Sequence, residues 1–184
     1  MRLPVISLLA IALFGCAEKP APVPVAAFVP PLPVAPTDKA AACVRPPEKA
    51  AFDVANLKSQ LMVTALSCGG EAKFNAFVTR FRPALVTEEK SLDTFFGRAY
   101  GRQGQKQHDD FVTQLANSQS QLSIRYGQSF CSANVGLLDD VMSVKTEGEL
   151  PAYAASKPIQ QALAVEDCPA VAAAAPARIV KKKK

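Results

Sequence analysis

Through the middle of the chain apolar residues recur every third or fourth position, the period of a helix with one buried face. Val54, Leu57, Leu61 and Ala65 form the first such stripe, with Asp53 placed to cap it after Phe52 and Gly69-Gly70 to stop it after Cys68. A second stripe starts at Glu71 and carries Phe74, Phe77, Val78 and Phe81, where Pro83 limits or kinks the helix. The register resumes through Leu92, Phe95, Phe96 and Ala99 before Tyr100-Gly101. Gly101 and Gly104 predict a turn, and Asp109 or the residues just before it open the next helix, whose apolar face is Phe111, Leu115, Leu122 and Tyr126. After Gly127, the spacing of Phe130, Cys131, Val135, Leu138, Val141 and Met142 predicts the last substantial helix, and Glu149 to Ser156, interrupted at Pro151, allows at most a short one.

The pattern therefore predicts a mostly α protein, a small domain of four to five helices. Its phenylalanines fall on helical stripes and read as core. One segment departs from the pattern: Gln114, Asn117, Ser118, Gln119, Ser120, Gln121 and Ser123 cover nearly every direction around the fourth helix. Buried amides need hydrogen-bond partners, so exposure of this stretch is the simpler expectation.

The periodic region runs from Cys43 to Cys168 and is flanked by segments of other composition. Met1-Arg2 is followed by an apolar run from Leu3 to Phe14 that ends at Gly15-Cys16. At about 12 residues this run is too short to span a hydrocarbon core of about 30 Å, and it reads as an export signal. Residues 17–42 then hold seven prolines between Pro20 and Pro36, mixed with Ala and Val. Such spacing removes amide donors and favours extended polyproline II, the composition of a tether. Residues 169–184 are an Ala/Pro stretch ending in Arg178 and Lys181, Lys182, Lys183 and Lys184, and they read as a disordered tail.

Leu13-Phe14-Gly15-Cys16 resembles the lipobox of a bacterial lipoprotein signal, with a small residue before the Cys and an aliphatic one three before it; Phe14 departs from the usual residue between them. The resemblance covers only the leader and extends no family to the folded domain. It implies removal of residues 1–15, acylation of Cys16, and, with Ala17 beside the Cys, delivery to an outer membrane facing the periplasm. Two or more acyl chains give durable attachment where one gives marginal binding.

With Cys16 assigned to lipid, four cysteines remain. Three pairings are open, and an oxidising compartment permits two disulfides. The nested arrangement, Cys68 with Cys131 inside Cys43 with Cys168, is preferred because it joins two interior helices and clasps the domain ends. Spacings of 25, 63 and 37 residues supply no close Cys pair for a zinc site or a redox motif.

Chemistry is sparse. One His and no Trp in 184 residues exclude any site of several imidazoles. Gly101-Arg102-Gln103-Gly104-Gln105 lacks the strand and the Lys-Ser or Lys-Thr of a phosphate-binding loop. His108-Asp109-Asp110 is the one compact cluster of imidazole and carboxylates, a weak candidate for a general base or metal, but adjacent helix residues point about 100° apart and Asp109 reads better as a helix N-terminal residue. Glu88-Glu89 and Asp139-Asp140 read as solvated helix faces, and Arg80, Arg82, Arg98 and Arg102 would bind an anion only if the fold gathered them. No catalytic residue, metal or cofactor is therefore expected.

Charge is distributed unevenly. From Cys43 to Cys168 there are 13 Lys/Arg against 14 Asp/Glu, a net charge of −1, whereas the whole chain carries +5. The folded part lacks the basic face of a nucleic-acid binder. Arg178 and Lys181 to Lys184 instead suit attraction to an anionic envelope surface. The expected function is a noncatalytic envelope lipoprotein with a binding, assembly or maintenance role, its partners the membrane and an anionic envelope component or envelope protein. An exported enzyme acting on an envelope substrate and a soluble periplasmic binding module are the alternatives.

Overall fold

The computed structural model describes residues 38–169. Cys16, residues 16–37 of the expected tether, and the basic residues Arg178 and Lys181 to Lys184 lie outside them. The described chain is a mostly helical domain with two disulfides. Five helices have ten or more residues: α1 (Pro46–Cys68), α2 (Glu71–Arg80), α3 (Arg82–Tyr100), α4 (Gly104–Tyr126) and α5 (Gln128–Asp140). A short α6 (Leu150–Ala155) follows, and two-residue strands β1 (Asp38–Lys39) and β2 (Leu163–Ala164) pair in parallel. Among the described residues no helix is long and apolar enough to cross a membrane.

The first helix begins earlier than the apolar stripe predicts. Arg45 is its N-cap, so Pro46 and Pro47 occupy the first turn, where helix amides lack partners and a missing N–H costs nothing. The N-cap is therefore Arg45 and not Asp53, and Glu48 in the first turn accepts the Arg45 amide at 2.7 Å. Asp53 instead lies inside the helix, 3.1 Å from Lys49 Nζ one turn before it. Similarly α4 starts at Gly104, which leaves Asp109 in its second turn. The break between α2 and α3 falls at Phe81, and Pro83 sits in the first turn of α3, where it is tolerated.

α1 is the central element and is buried on nearly all sides. It runs antiparallel to α3, with Phe52 edge-on to Phe95 at 5.0 Å and Glu48 against Arg98. It runs parallel to α4, where Phe52 meets Phe111 at 5.2 Å near one end and Ser67 meets Ser123 at 3.0 Å near the other. α5 returns antiparallel along it through Gln60–Asn134 at 3.2 Å and the Cys68–Cys131 disulfide. The core divides into two clusters that α1 joins. One gathers Leu57, Leu61, Phe77, Phe81, Leu138 and Leu150; the other gathers Phe52, Leu92, Phe95, Phe96, Phe111 and Leu115.

The polar middle of α4 is not uniformly exposed. Gln119 is fully buried, and its Nε2 donates to the carbonyls of Asn56 at 3.2 Å and Gln160 at 3.1 Å. A buried amide is tolerated here because α1 and the segment after α6 present backbone acceptors to it.

The nested disulfides form as the chain organisation predicts. Cys43–Cys168 brings the ends of the domain to a Cα separation of 4.8 Å, and Cys68–Cys131 ties the end of α1 to the start of α5 at 5.4 Å. Pairing extends outward from the first bridge into residues read as tether: Asp38 opposes Leu163, Lys39 opposes Ala164, and Val44 bridges Asp167. Such short pairing leaves no periodic trace in sequence, so folded structure reaches Asp38 where the pattern placed its start at Cys43.

Candidate functional site

Arg80 and Arg98 serve the fold. Arg80 donates to the carbonyls of Met142, Val144 and Lys145, holding the chain after α5. Arg98 binds Glu48 through both arms, Nη2 to Oε2 at 2.6 Å and Nε to Oε1 at 3.1 Å, and Nη2 also reaches the Cys43 carbonyl at 2.8 Å. Burial pushes the Glu48 carboxyl upward, but hydrogen bonds from Arg98 and the Arg45 amide, with the Arg98 charge, prevail and hold it below its ordinary value. Arg82 and Arg102 are exposed. Asp139 pairs with Lys73, whereas Glu88 is partly buried and desolvation raises its carboxyl, a departure from the solvated face expected of Glu88-Glu89.

The one concentration of imidazole and carboxylate lies between α3 and α4. Four residues apart, Glu89 and Asp93 share a face of α3, and α4 brings Gln105, His108, Asp109, Val112 and Thr113 opposite them around a cleft of about 430 Å³. Close approach of the two helices is made possible by Gly104: a Cβ there would lie 2.9 Å from the Phe96 carbonyl oxygen and 3.0 Å from Gly97 Cα. The His108 side chain is 5% exposed and stacks on Phe96, ring centroids 5.0 Å apart and planes 12° from parallel. Its Nδ1 lies 2.9 Å from Asp93 Oδ1. Its Nε2 is buried without a hydrogen-bond partner, 3.5 Å from Glu89 Oε1.

His108 therefore turns away from its sequence neighbours, as the 100° step requires. Asp109 lines the same cleft but accepts from Gln105 Nε2 at 3.0 Å rather than capping the helix, and Asp110 pairs with Lys106. Sequence reasoning missed Glu89 and Asp93 as the histidine's companions. The available sign was the turn at Gly101: in a helical hairpin, residues about equally far from the turn face one another, and Asp93 and His108 stand eight before and seven after it.

Two other recesses are less chemical. One of about 440 Å³ beside the Cys43–Cys168 bridge is lined mainly by apolar groups, among them Val44, Pro46, Ala50, Pro151 and Ala155. Another of about 240 Å³ lies among Asp38, Tyr100, Gln107, Asp110 and Gln114. Among the described residues no group of three or more His, Cys, Asp and Glu is placed to hold a metal ion by itself. No family model, no curated protein and no solved structure matches the chain.

Proposed function

We propose that the protein is a noncatalytic envelope lipoprotein with a binding, assembly or maintenance role, attached through Cys16 to the outer membrane and facing the periplasm. The observation that carries this reading is the leader, a charged start and a short apolar run ending in Leu13-Phe14-Gly15-Cys16. The Cys43–Cys168 bridge supports it in two ways. Disulfides persist in an exported protein, and this one joins the start of the domain to its end with Cα atoms 4.8 Å apart. The two segments that carry Cys16 and the basic residues Arg178 and Lys181 to Lys184 are the ones whose domain ends this bridge ties together. Lipid supplies durable attachment, and each basic residue near an anionic surface adds about 1 kcal/mol that salt weakens.

Intact mass spectrometry of the protein made in its native host tests the anchor. The expected species lacks residues 1–15 and carries acyl mass on Cys16; a mature terminus elsewhere, or one without acyl mass, refutes it. For the tail, nonacylated protein and a version with Lys181 to Lys184 changed to Gln are compared on neutral and anionic vesicles over a salt series. The parent is expected to bind the anionic vesicles more strongly and to lose that binding with salt, and equal binding by both proteins at low salt rejects the contribution.

A further inference from the structure

We propose that the cleft between α3 and α4 holds a divalent transition-metal ion, zinc in the simplest case, on His108 Nε2 and a carboxylate oxygen of Glu89. Asp93 fixes the imidazole, and water completes the coordination. This inference is independent of lipid attachment.

The tautomer comes first. An ionised carboxylate only accepts hydrogen bonds, so the 2.9 Å contact with Asp93 Oδ1 places the proton of a neutral ring on Nδ1. Nε2 is then a bare lone pair, buried and without a partner, and the polar atom 3.5 Å from it is another acceptor, Glu89 Oε1. Two lone pairs so placed are relieved either by a proton on Nε2 or by a cation between them, and at 3.5 Å the contact is too long for Nε2 to donate a good hydrogen bond to Glu89.

The separation selects the occupant. Zinc bonds of about 2.0–2.1 Å to nitrogen and about 2.0–2.2 Å to oxygen span 3.5 Å at a metal angle of about 110–120°, close to tetrahedral. A water or ammonium hydrogen-bonded to both atoms at about 2.8–2.9 Å would subtend only about 75°, too acute for either donor. The field agrees with a cation: Glu89, Asp93 and Asp109 line the cleft, and no Lys or Arg is among its lining residues. Asp93 supplies the outer carboxylate that metal-bound histidines characteristically carry on the other ring nitrogen, and Phe96 holds the ring plane.

Imidazole with carboxylate suits zinc, copper or nickel better than magnesium or calcium. Glu89 and Asp93 are 49% and 54% exposed, so the remaining positions face solvent. Two protein ligands make an exchangeable site, unlike the closed four-ligand sites that hold a fold together. The exposed Glu89 carboxylate is the group that swings aside to admit the ion.

His108 is the chain's single histidine, so its ring nitrogens give one unambiguous set of NMR signals. Oxidised, full-chain, ¹⁵N-labelled protein is stripped with EDTA, exchanged into buffer at neutral pH and titrated with zinc chloride. The expected result is a one-to-one shift of the Nε2 resonance while Nδ1 stays protonated. Asp93→Asn is expected to weaken binding about 10–100-fold, and Glu89→Gln, on an exposed side chain that leaves the fold intact, at least as much. Zinc that fails to move Nε2, a ring protonated on both nitrogens that refuses zinc, or a Glu89→Gln protein that binds like the parent overturns the proposal.

Discussion

Replacing Gly104 by Ala tests whether contact between α3 and α4 is as tight as the cleft requires. The backbone at Gly104 is ordinary right-handed helix, φ −51° and ψ −50°, so no left-handed conformation demands glycine. On propensity alone, Ala in a helix favours folding by up to about 1 kcal/mol. Space decides otherwise. The new Cβ would meet the Phe96 carbonyl oxygen at 2.9 Å and the Cα and nitrogen of Gly97 at 3.0 Å. All three are backbone atoms, which cannot rotate aside, so α4 must shift as a body. Overpacking of this kind costs about 1–3 kcal/mol, leaving a net loss of about 0–2 kcal/mol after the full propensity gain. Gly136 in α5 is the control: a Cβ there meets nothing within 4 Å, and Gly136→Ala is expected to gain about 0.5–1 kcal/mol. Urea unfolding of the oxidised proteins, followed by far-ultraviolet circular dichroism, reads both as midpoint shifts at constant slope. A Gly104→Ala midpoint that rises with that of Gly136→Ala would refute the packing argument.

Three further outcomes are expected. Because Glu48 titrates lower folded than unfolded, its pair with Arg98 contributes stability above the unfolded glutamate pKa of about 4.3 that is lost as pH falls through the depressed folded value; Arg98→Met leaves the buried carboxylate with the Arg45 amide but no counter-charge against it, costs about 3–5 kcal/mol near neutrality and flattens the slope, and stability curves of the two proteins from pH 7 to 4 that stay parallel would contradict this. Tyr153 has its hydroxyl buried without a partner and its pKa pushed up to about 12, by desolvation first and the Asp140 charge second, so Tyr153→Phe is expected to leave thermal stability unchanged or higher by up to about 1 kcal/mol, with Lys157 still over the ring; a loss of 2 kcal/mol or more would reveal a hydrogen bond. Changing Cys43 and Cys168 both to Ala opens a 125-residue loop and is expected to cost about 2–5 kcal/mol in urea unfolding, with faster amide exchange at Ala40 and Val44, whose partners are the Ala164 and Glu166 carbonyls.

Helix identity was legible because burial of one face imposes a period, and five long segments carried it. The boundaries were less so. Asp53 looks like a cap only if the helix starts where the apolar stripe starts, whereas α1 extends eight residues further back, to Pro46. Prolines read as interruptions when a stripe is followed forward, yet Pro46, Pro83 and Pro151 each stand at a helix start, where their fixed φ suits the first turn. A central helix also weakens the pattern itself. Packed by α3, α4, α5 and α6, α1 buries Asn56, Gln60 and Thr64 along with its leucines, so the single stripe understated how much of it is core. Gln119 escaped for the matching reason: its acceptors, the Asn56 and Gln160 carbonyls, are 63 and 41 residues away.

The cleft was partly legible in the same sense. His108 stood out by being unique, but its nearest acidic neighbours in sequence were the wrong ones, since consecutive helix positions diverge. What joins His108 to Asp93 and Glu89 is the turn at Gly101–Gln103, whose glycine at φ 56° reverses the chain, together with Gly104, whose missing side chain lets α4 close on α3. Those residues read as punctuation between two helices. Their consequence is chemical: a buried imidazole nitrogen 3.5 Å from a solvent-facing carboxylate, an approach that the close packing of α3 and α4 allows. Loosening Gly104 and removing Glu89 should therefore damage the same site by separable routes, the first with a loss of stability and the second without one.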